Sequence, residues 1–571
     1  MHRSVWFLIC AIFGLLMLFC GLSLPAHLRA VDARILQTAG RNTPGLITDG
    51  LSLVNEKKLG AAQLIAQAAQ KKGFLEEEKL ATAVDDLARQ HPGWVAWGGP
   101  EPAFESIFQN DARLRPDGSE PFTEYVLRLE NRERVLQFLL ASPQPGVQEL
   151  LRTRGVTNTY IFPPSQSASG QAFDAALSVC GLLLEDGHFT PGLSNTVFTG
   201  AWQATHGGSS QPFEQVLVDM MALGQRFNWG RLAVFVQQID NTDTLRRLAN
   251  FVRKAGAQMP TLFAAVHLSG QPAQVAEYLV NFSQTGLNDI GYSLRYGAGS
   301  LKELLARNQR LYIAGGSSAS AGFNPFDSFG WWAADYCLRA PQLALAAKWL
   351  LYGVAGFLLA MAVHFARPSV STLEQPLQVR GFHIAREILF ALGFLLVVLL
   401  LSEPFLSQEG QRMDFPIRLR LPTVGNLLPA GTLNGHASFM NQLNLLTLLL
   451  FFVLQGLLYT ACLLKLAEIR RQRVPARMKI KLLENEDHLF DAGLYLGFVG
   501  TIISLILVSL GIGKFSLMAA YSSTSFGIIF VSIFKIFHLR PSRRKLLLEA
   551  EATAPTETVP AAVRPTFATP S

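Results

Sequence analysis

Charge is scarce in this sequence. Asp, Glu, Lys and Arg make up 16% of its 571 residues, against about 25% in an average globular chain. Uncharged apolar runs of about 18 residues or more take up the difference, which excludes a wholly water-soluble protein. Cysteine is scarce too, at five. With no CxxC, HExxH or Cys/His metal spacing anywhere, no metal and no cofactor are expected. Cys10, Cys20 and Cys462 fall inside apolar runs and read as small hydrophobes. Cys180 and Cys337 fall in the soluble part, where they could pair only in an oxidising compartment and with their backbones close.

Catalytic patterns are missing as well. His206-Gly-Gly-Ser-Ser210 and Gly315-Gly-Ser-Ser318 look like hydrolase fragments, but no GxSxG elbow accompanies them, so they read as flexible loops. Gly511-Ile-Gly-Lys-Phe-Ser516 fails as a phosphate loop, because Val508 stands where the first glycine belongs and Phe515 follows the lysine. It reads as a turn between two membrane helices with Lys514 reaching the headgroups. The expectation is therefore a protein that is not an enzyme. The net charge of +7 implies no nucleic acid, since the basic residues cluster beside the apolar runs, where membrane orientation places them.

What the sequence does have is an all-α membrane pattern. The fold class expected is about six transmembrane helices, with a large, mainly α-helical extracytoplasmic domain between helices 1 and 2. Residues 1–26 form an N-terminal anchor: His2 and Arg3 precede an apolar run, Val5 to Leu24, longer than the roughly 7–15 residues of a signal-peptide core. Ala30 after Leu28-Arg29 makes a poor cleavage site, and Phe19 before Cys20 spoils a lipoprotein site, so the anchor is expected to be retained. Residues 27–338 read as amphipathic helices (59–70, 78–90, 216–223, 232–239, 244–254, 260–267, 273–282, 301–307) separated by turns such as Ser269-Gly-Gln-Pro272. An α-hairpin array or irregular solenoid is one organisation open to them, although no strict repeat is present. Residues 91–125, richer in Pro, Gly and Trp, read as an irregular join.

Trp331, Trp332 and Tyr336 mark a headgroup-level approach to the membrane. Apolar runs follow at 342–365, 385–402, 443–464, 490–512 and 516–537. They give two transmembrane helices in 342–402, an extracytoplasmic loop at 403–442 and a three-helix region at 443–537. A basic, then disordered, cytoplasmic tail occupies 538–571. Orientation follows from Lys465, Arg470, Arg471, Arg473, Arg477, Lys479 and Lys481, which face only Glu468 and so mark a cytoplasmic loop. Arg367, Arg380 and Arg386 support a second. Both termini are then inside, and residues 27–338 are outside, in the periplasm of a bacterial inner membrane.

The stretch from Gly493 to Phe537 stands out among these runs. Ionisable groups inside a membrane are costly and mark function, yet the last three runs carry none at mid-depth. Asp491 and Lys465 lie near the ends, Lys535 can snorkel to the cytoplasmic surface, and Glu403 with Pro404 closes the third crossing. Gln455 is expected to make an interhelical hydrogen bond. Instead of charge, the last two runs carry small and hydroxyl residues: Gly493, Gly497, Gly500, Thr501 and Ser504, then Ser522, Ser523, Thr524, Ser525 and Gly527. Such residues either let helices pack closely or line a wet path, and by chemistry alone packing is the more usual role.

Gly497-Phe-Val-Gly-Thr501 followed by Ile-Ile-Ser504 resembles the G-L-L-G-T-V-x-G stretch of the MotA/TolQ/ExbB proton-channel family. Ser523-Thr-Ser-Phe-Gly-Ile528 is similar to that family's T-T-A-x-G-L. The resemblance covers about residues 440–540. It implies Thr501 and Thr524 as pore-wall threonines, with Ser504, Ser523, Gly497, Gly500 and Gly527 lining the pore or packing beside them. It also implies a homo-oligomer, a partner whose single membrane helix carries an aspartate, and a periplasmic protein or envelope target for the outer domain. The chain departs from the family at Ala519, where a glutamate is usual, at Ile533, near a usual proline, and in a short 465–490 stretch. The alternative reading is a non-conducting membrane scaffold or sensor whose outer domain binds a protein or envelope component. A secondary transporter would need paired interrupted helices, which the sequence does not display.

Overall fold

The computed structural model describes residues 2–74, 76–101, 107, 121–313, 327–366, 382–405, 442–509 and 517–552. The predicted 315–318 loop, the 403–442 loop beyond 405, the 367–381 part of the second basic loop, the 511–516 turn, most of the 91–125 join and the tail beyond 552 lie outside them. The chain divides into two compact units, Met1–Leu24 with Leu345–Ser571, and Pro25–Ala344.

In the first unit every predicted apolar run is a helix. The labelled helices are α1 (His2–Ser23), α2 (Pro341–Ala366), α3 (Phe382–Ser402), α4 (Gln442–Arg471), α5 (Ala476–Asn485), α6 (Ala492–Ser509), α7 (Leu517–Phe534) and α8 (Arg540–Ala552). A helix satisfies its own backbone polar groups, as any segment in hydrocarbon must. Among the described residues, four stretches are long and apolar enough to cross a membrane: Ser4–Ser23, Pro341–Ala366, Thr447–Arg471 and Tyr521–Ala552. Glu387–Ser402 and Ala492–Ile506 are shorter apolar helices. A single π-helical turn, Lys535–Leu539, joins α7 to α8.

Small residues set the helix spacings here. At Gly21 a side chain would begin 2.7 Å from the Tyr352 ring, and at Gly14 one would begin 3.0 Å from Leu359, so glycine is what brings α1 close to α2. At the far end of α4 a compact cluster forms from Cys462, Leu466, Ile469, Leu483, Phe490, Phe534 and Leu546. It seats α5 and α8 against the ends of α4 and α7, and α5 and α8 are further joined by an Arg543–Glu484 ion pair at 2.8 Å.

Among its described residues the second unit is mainly helical, with one parallel two-stranded ladder, β1 (Ala30–Asp32) with β2 (Arg310–Tyr312), in which Val31 faces Leu311. Its helices begin and end where the sequence chemistry directs. Asn241 accepts from Thr244 N at 2.8 Å as an N-cap. In the predicted 269–272 turn, Gly270 takes the left-handed conformation (φ +61°) that ends Met259–Ser269, and Pro272 starts Pro272–Ser293. Trp229, Phe122, Phe227, Phe235 and Phe263 are all buried in its core.

The helices of this unit do not form an open array. Arg231 Nε donates to the Gly60 carbonyl at 3.1 Å and Gln37 donates to the Tyr292 hydroxyl at 3.0 Å. With the β1–β2 ladder, these bonds close the first segments of the unit onto its last ones. Neighbour-only contact, the mark of a solenoid, is therefore not its organisation. The 206–210 stretch is also better anchored than a flexible loop: Ser210 is buried and donates to Glu214 at 2.7 Å. Glu214 in turn accepts from the backbone N–H groups of Tyr160, Ile161 and Phe162. Cys180 and Cys337 are buried thiols, not a disulfide.

Candidate functional site

Of the hydroxyl and glycine residues singled out in the sequence, Gly493, Gly497, Gly500 and Thr501 of α6 meet Ser523, Thr524 and Gly527 of α7 at one seam, whereas Ser504 and Ser525 do not bond across it. Position Gly497 comes first, because its neighbour is backbone: a Cβ there would lie 2.8 Å from the Ser523 carbonyl oxygen and 3.1 Å from Thr524 Cα. At Gly500 a Cβ would sit 2.5 Å from Ser523 Oγ. On the facing helix, a Cβ at Gly527 would lie 2.7 Å from the Gly493 carbonyl. Gly497 and Gly527 thus allow two helices to touch backbone to backbone, and Gly500 makes room for the Ser523 hydroxyl, as small-residue faces do in membranes.

Beside this contact the two motif threonines bond to each other. Thr501 Oγ1 and Thr524 Oγ1 are 2.6 Å apart. Both also reach the Gly497 carbonyl, at 3.1 and 3.2 Å. Each hydroxyl has a single proton. One threonine therefore donates to Gly497 while the other donates to it, and the two arrangements interconvert by rotating hydroxyls. Thr501 and Ser523 are buried, whereas Thr524 is half-buried. Ser504 donates to the Gly500 carbonyl at 2.8 Å and Ser525 to the Tyr521 carbonyl at 3.0 Å, each within its own helix.

Gln455 makes the interhelical bond expected of it, donating to the Gly493 carbonyl at 2.9 Å and tying α4 to the seam. Lys535 does not simply snorkel: its ammonium lies 2.8 Å from Asp491 Oδ1, linking the end of α7 to the residue just ahead of α6. Nearby, the Tyr459 hydroxyl and His538 Nε2 are 2.9 Å apart. Ala519 belongs to α7.

Two polar features of the first unit escaped the sequence reading. Lys348 on α2 and Glu403 at the end of α3 form an ion pair at 3.7 Å with both side chains 1% exposed. The Lys348 ammonium also sits 6.0 Å from the centre of the Tyr352 ring. Farther along, His364 of α2, the buried Glu387 of α3 and Thr460 of α4 help line a cavity of about 240 Å³. Lys348 and Glu387 each stand in a run judged apolar as a whole, and a single charge in such a run is the signal that would have found them.

The chain matches no family model, no curated protein and no solved structure. The chemistry of the seam is accordingly limited to what its own groups offer: exchangeable hydroxyl protons, one shared carbonyl and a tight glycine contact.

Proposed function

We propose that this chain is a multi-pass membrane subunit of the energy-coupling channel type, in which ion passage along α6 and α7 drives work on a partner or on a target of the outer domain. The observation that carries this reading is the Thr501–Thr524 contact at 2.6 Å. The two motifs that resemble the MotA/TolQ/ExbB family each contribute one threonine, and these two residues meet although nothing in the local sequence requires it. A mutually bonded hydroxyl pair can reorient and pass a hydrogen bond along, which suits a polar step in an otherwise dry bore.

In this reading, six helices cross a bacterial inner membrane, residues 27–338 lie in the periplasm and both termini are cytoplasmic. Several copies assemble around a partner whose single membrane helix supplies an aspartate, because α4, α6 and α7 offer no mid-depth acid. Changing Thr501 and Thr524 together to Val keeps the shape and removes both hydroxyls. Loss of proton-coupled function with unchanged assembly supports the proposal, and full function in the double variant sinks it.

The second reading, a non-conducting scaffold or sensor, is favoured by a different observation. The glycine contacts at Gly497, Gly500 and Gly527 and the mutual satisfaction of the hydroxyls are what a packing seam needs. A neighbouring gene for a small protein with one membrane helix and an early aspartate discriminates the two, since only the channel reading requires it.

A further inference from the structure

We infer that Glu101, Asp186 and His188 form a binding site for a divalent transition-metal cation of the zinc class in the Pro25–Ala344 unit. Asp186 and His188 leave the turn that ends the Gln171–Glu185 helix, and Gly187 between them takes a left-handed conformation (φ +70°). Backbone bonds from Asp186 N to the Leu182 carbonyl (3.0 Å) and from His188 N to the Leu183 carbonyl (2.8 Å) hold the turn. Glu101 arrives from elsewhere in the chain, after the Gly98-Gly99-Pro100 turn. That turn is docked by Gly60 N donating to the Gly98 carbonyl at 2.7 Å, and by a Gly98–Gly230 approach so close that a Cβ on Gly230 would sit 2.8 Å from the Gly98 carbonyl oxygen. Two independently fixed turns therefore aim three ligand-type side chains at one point.

Their ligand atoms all lie within 4.8 Å of one another. Donors about 2.1 Å from a tetrahedral ion stand roughly 3.4 Å apart, so small side-chain rotations close the set. The mixture of one imidazole and two carboxylates suits zinc and its neighbours better than calcium or magnesium, which prefer all-oxygen shells. Asp186 Oδ2 and His188 Nε2 are shut off from solvent and accept or donate no hydrogen bond. Buried polar atoms are normally satisfied, and two orphans facing the same point call for a ligand. The other imidazole nitrogen is already held: Gln237 Nε2 lies 2.8 Å from His188 Nδ1 and donates to it. Metal binding takes a 180° flip of that amide, which turns its oxygen to Nδ1–H and frees the His188 Nε2 lone pair, the outer-shell arrangement that orients metal-binding histidines. The ring is also seated edge-on against Trp229, with centroids 5.6 Å apart.

A bound cation would offset the repulsion between the Glu101 and Asp186 carboxylates, whose ligand oxygens lie within 4.8 Å of each other. The competing arrangement is a protonated His188 shared by the two acids, for which the 3.5 Å separation of His188 Nε2 and Glu101 Oε1 leaves room.

The test is equilibrium dialysis of the chelator-stripped, detergent-solubilised full chain against micromolar Zn²⁺, with bound metal counted per chain. A parallel Co²⁺ titration is followed by its visible absorption. One saturable site is expected, weakened about 10-fold or more by His188→Ala and by the isosteric Asp186→Asn, and weakened by Gln237→Leu in the same sense. Melting curves of the stripped variants separate lost binding from lost folding. Absence of saturable binding overturns the inference. So does binding that both well-folded variants retain. The protonated-histidine arrangement is the answer if these variants alter only the pH dependence of unfolding.

Discussion

Thr501 and Thr524 illustrate how far a single contact reaches. Replacing Thr501 alone with Val leaves Thr524 its bond to the Gly497 carbonyl, so the cost in stability is about 0.5–1 kcal/mol, the usual worth of such bonds between membrane helices. Gly497→Leu is different in kind, because the new side chain meets the Ser523 backbone at 2.8 Å, and backbone cannot rotate away. Overpacking of about 1–3 kcal/mol or more is expected, read as a lower melting temperature in detergent and loss of α6–α7 crosslinking between introduced cysteines. In the other unit, Asp32 is buried and paired with Arg34, whose Nε and Nη2 each reach a carboxylate oxygen at 3.0 Å. Burial alone would raise the Asp32 carboxyl, but hydrogen bonds from His27 and Arg34 hold it well below the usual carboxylate range. A depressed folded value means that this carboxylate stabilises fully above its unfolded value, about 3.9, and stops doing so as pH falls through the folded one. Acid titration of the melting temperature below about pH 4 should therefore show a wild-type decline that Asp32→Asn lacks. The variant itself, which removes the buried carboxylate charge facing Arg34, should be weaker at neutral pH by about 3–5 kcal/mol.

Among the elements, the six apolar runs were legible because hydrocarbon demands length and lack of charge, and both are written directly in sequence. Their partnerships were not. The α6–α7 seam could be suspected from Gly497, Gly500 and Gly527, but the Thr501–Thr524 bond depends on the rotation of each helix about its axis, which periodicity leaves open. Lys348 lies on α2 and Glu403 just past the end of α3, so their pairing is a property of the fold. Glu101 meets Asp186 and His188 only because distant turns are docked together. The amphipathic α5 and α8 were read as loop and tail, since a short helix beside a membrane carries weak periodicity. Their anchorage is testable at Phe534, buried at the meeting of α7 with the cluster of Phe490, Leu483 and Leu546. Phe534→Ala should cost about 3–5 kcal/mol and expose the 465–490 stretch to protease. Lys535→Ala, which breaks a half-exposed ion pair with Asp491, should cost less than about 1 kcal/mol. The contrast separates packing from charge in holding that end together.

For the molecule as a whole, the apolar helices of one unit are compatible with a membrane, and the reading proposed above places the other unit, with its own aromatic core, outside it. The proposed orientation predicts that protease added to spheroplasts, with the outer membrane opened, reaches residues 27–338, and that a C-terminal fluorescent fusion lies in the cytoplasm. The central claim is that the α6–α7 hydroxyl pair serves ion passage and does more than pack two helices. Proton uptake measured in vesicles that hold the full chain with the proteins that co-purify with it tests this most directly. Predicted is an uptake above protein-free vesicles that falls about 10-fold or more, a barrier change of about 1.4 kcal/mol, when Thr501 and Thr524 are both changed to Val and the assembly stays intact. Equal uptake in wild type and double variant, or none above the protein-free background in either, would contradict the account.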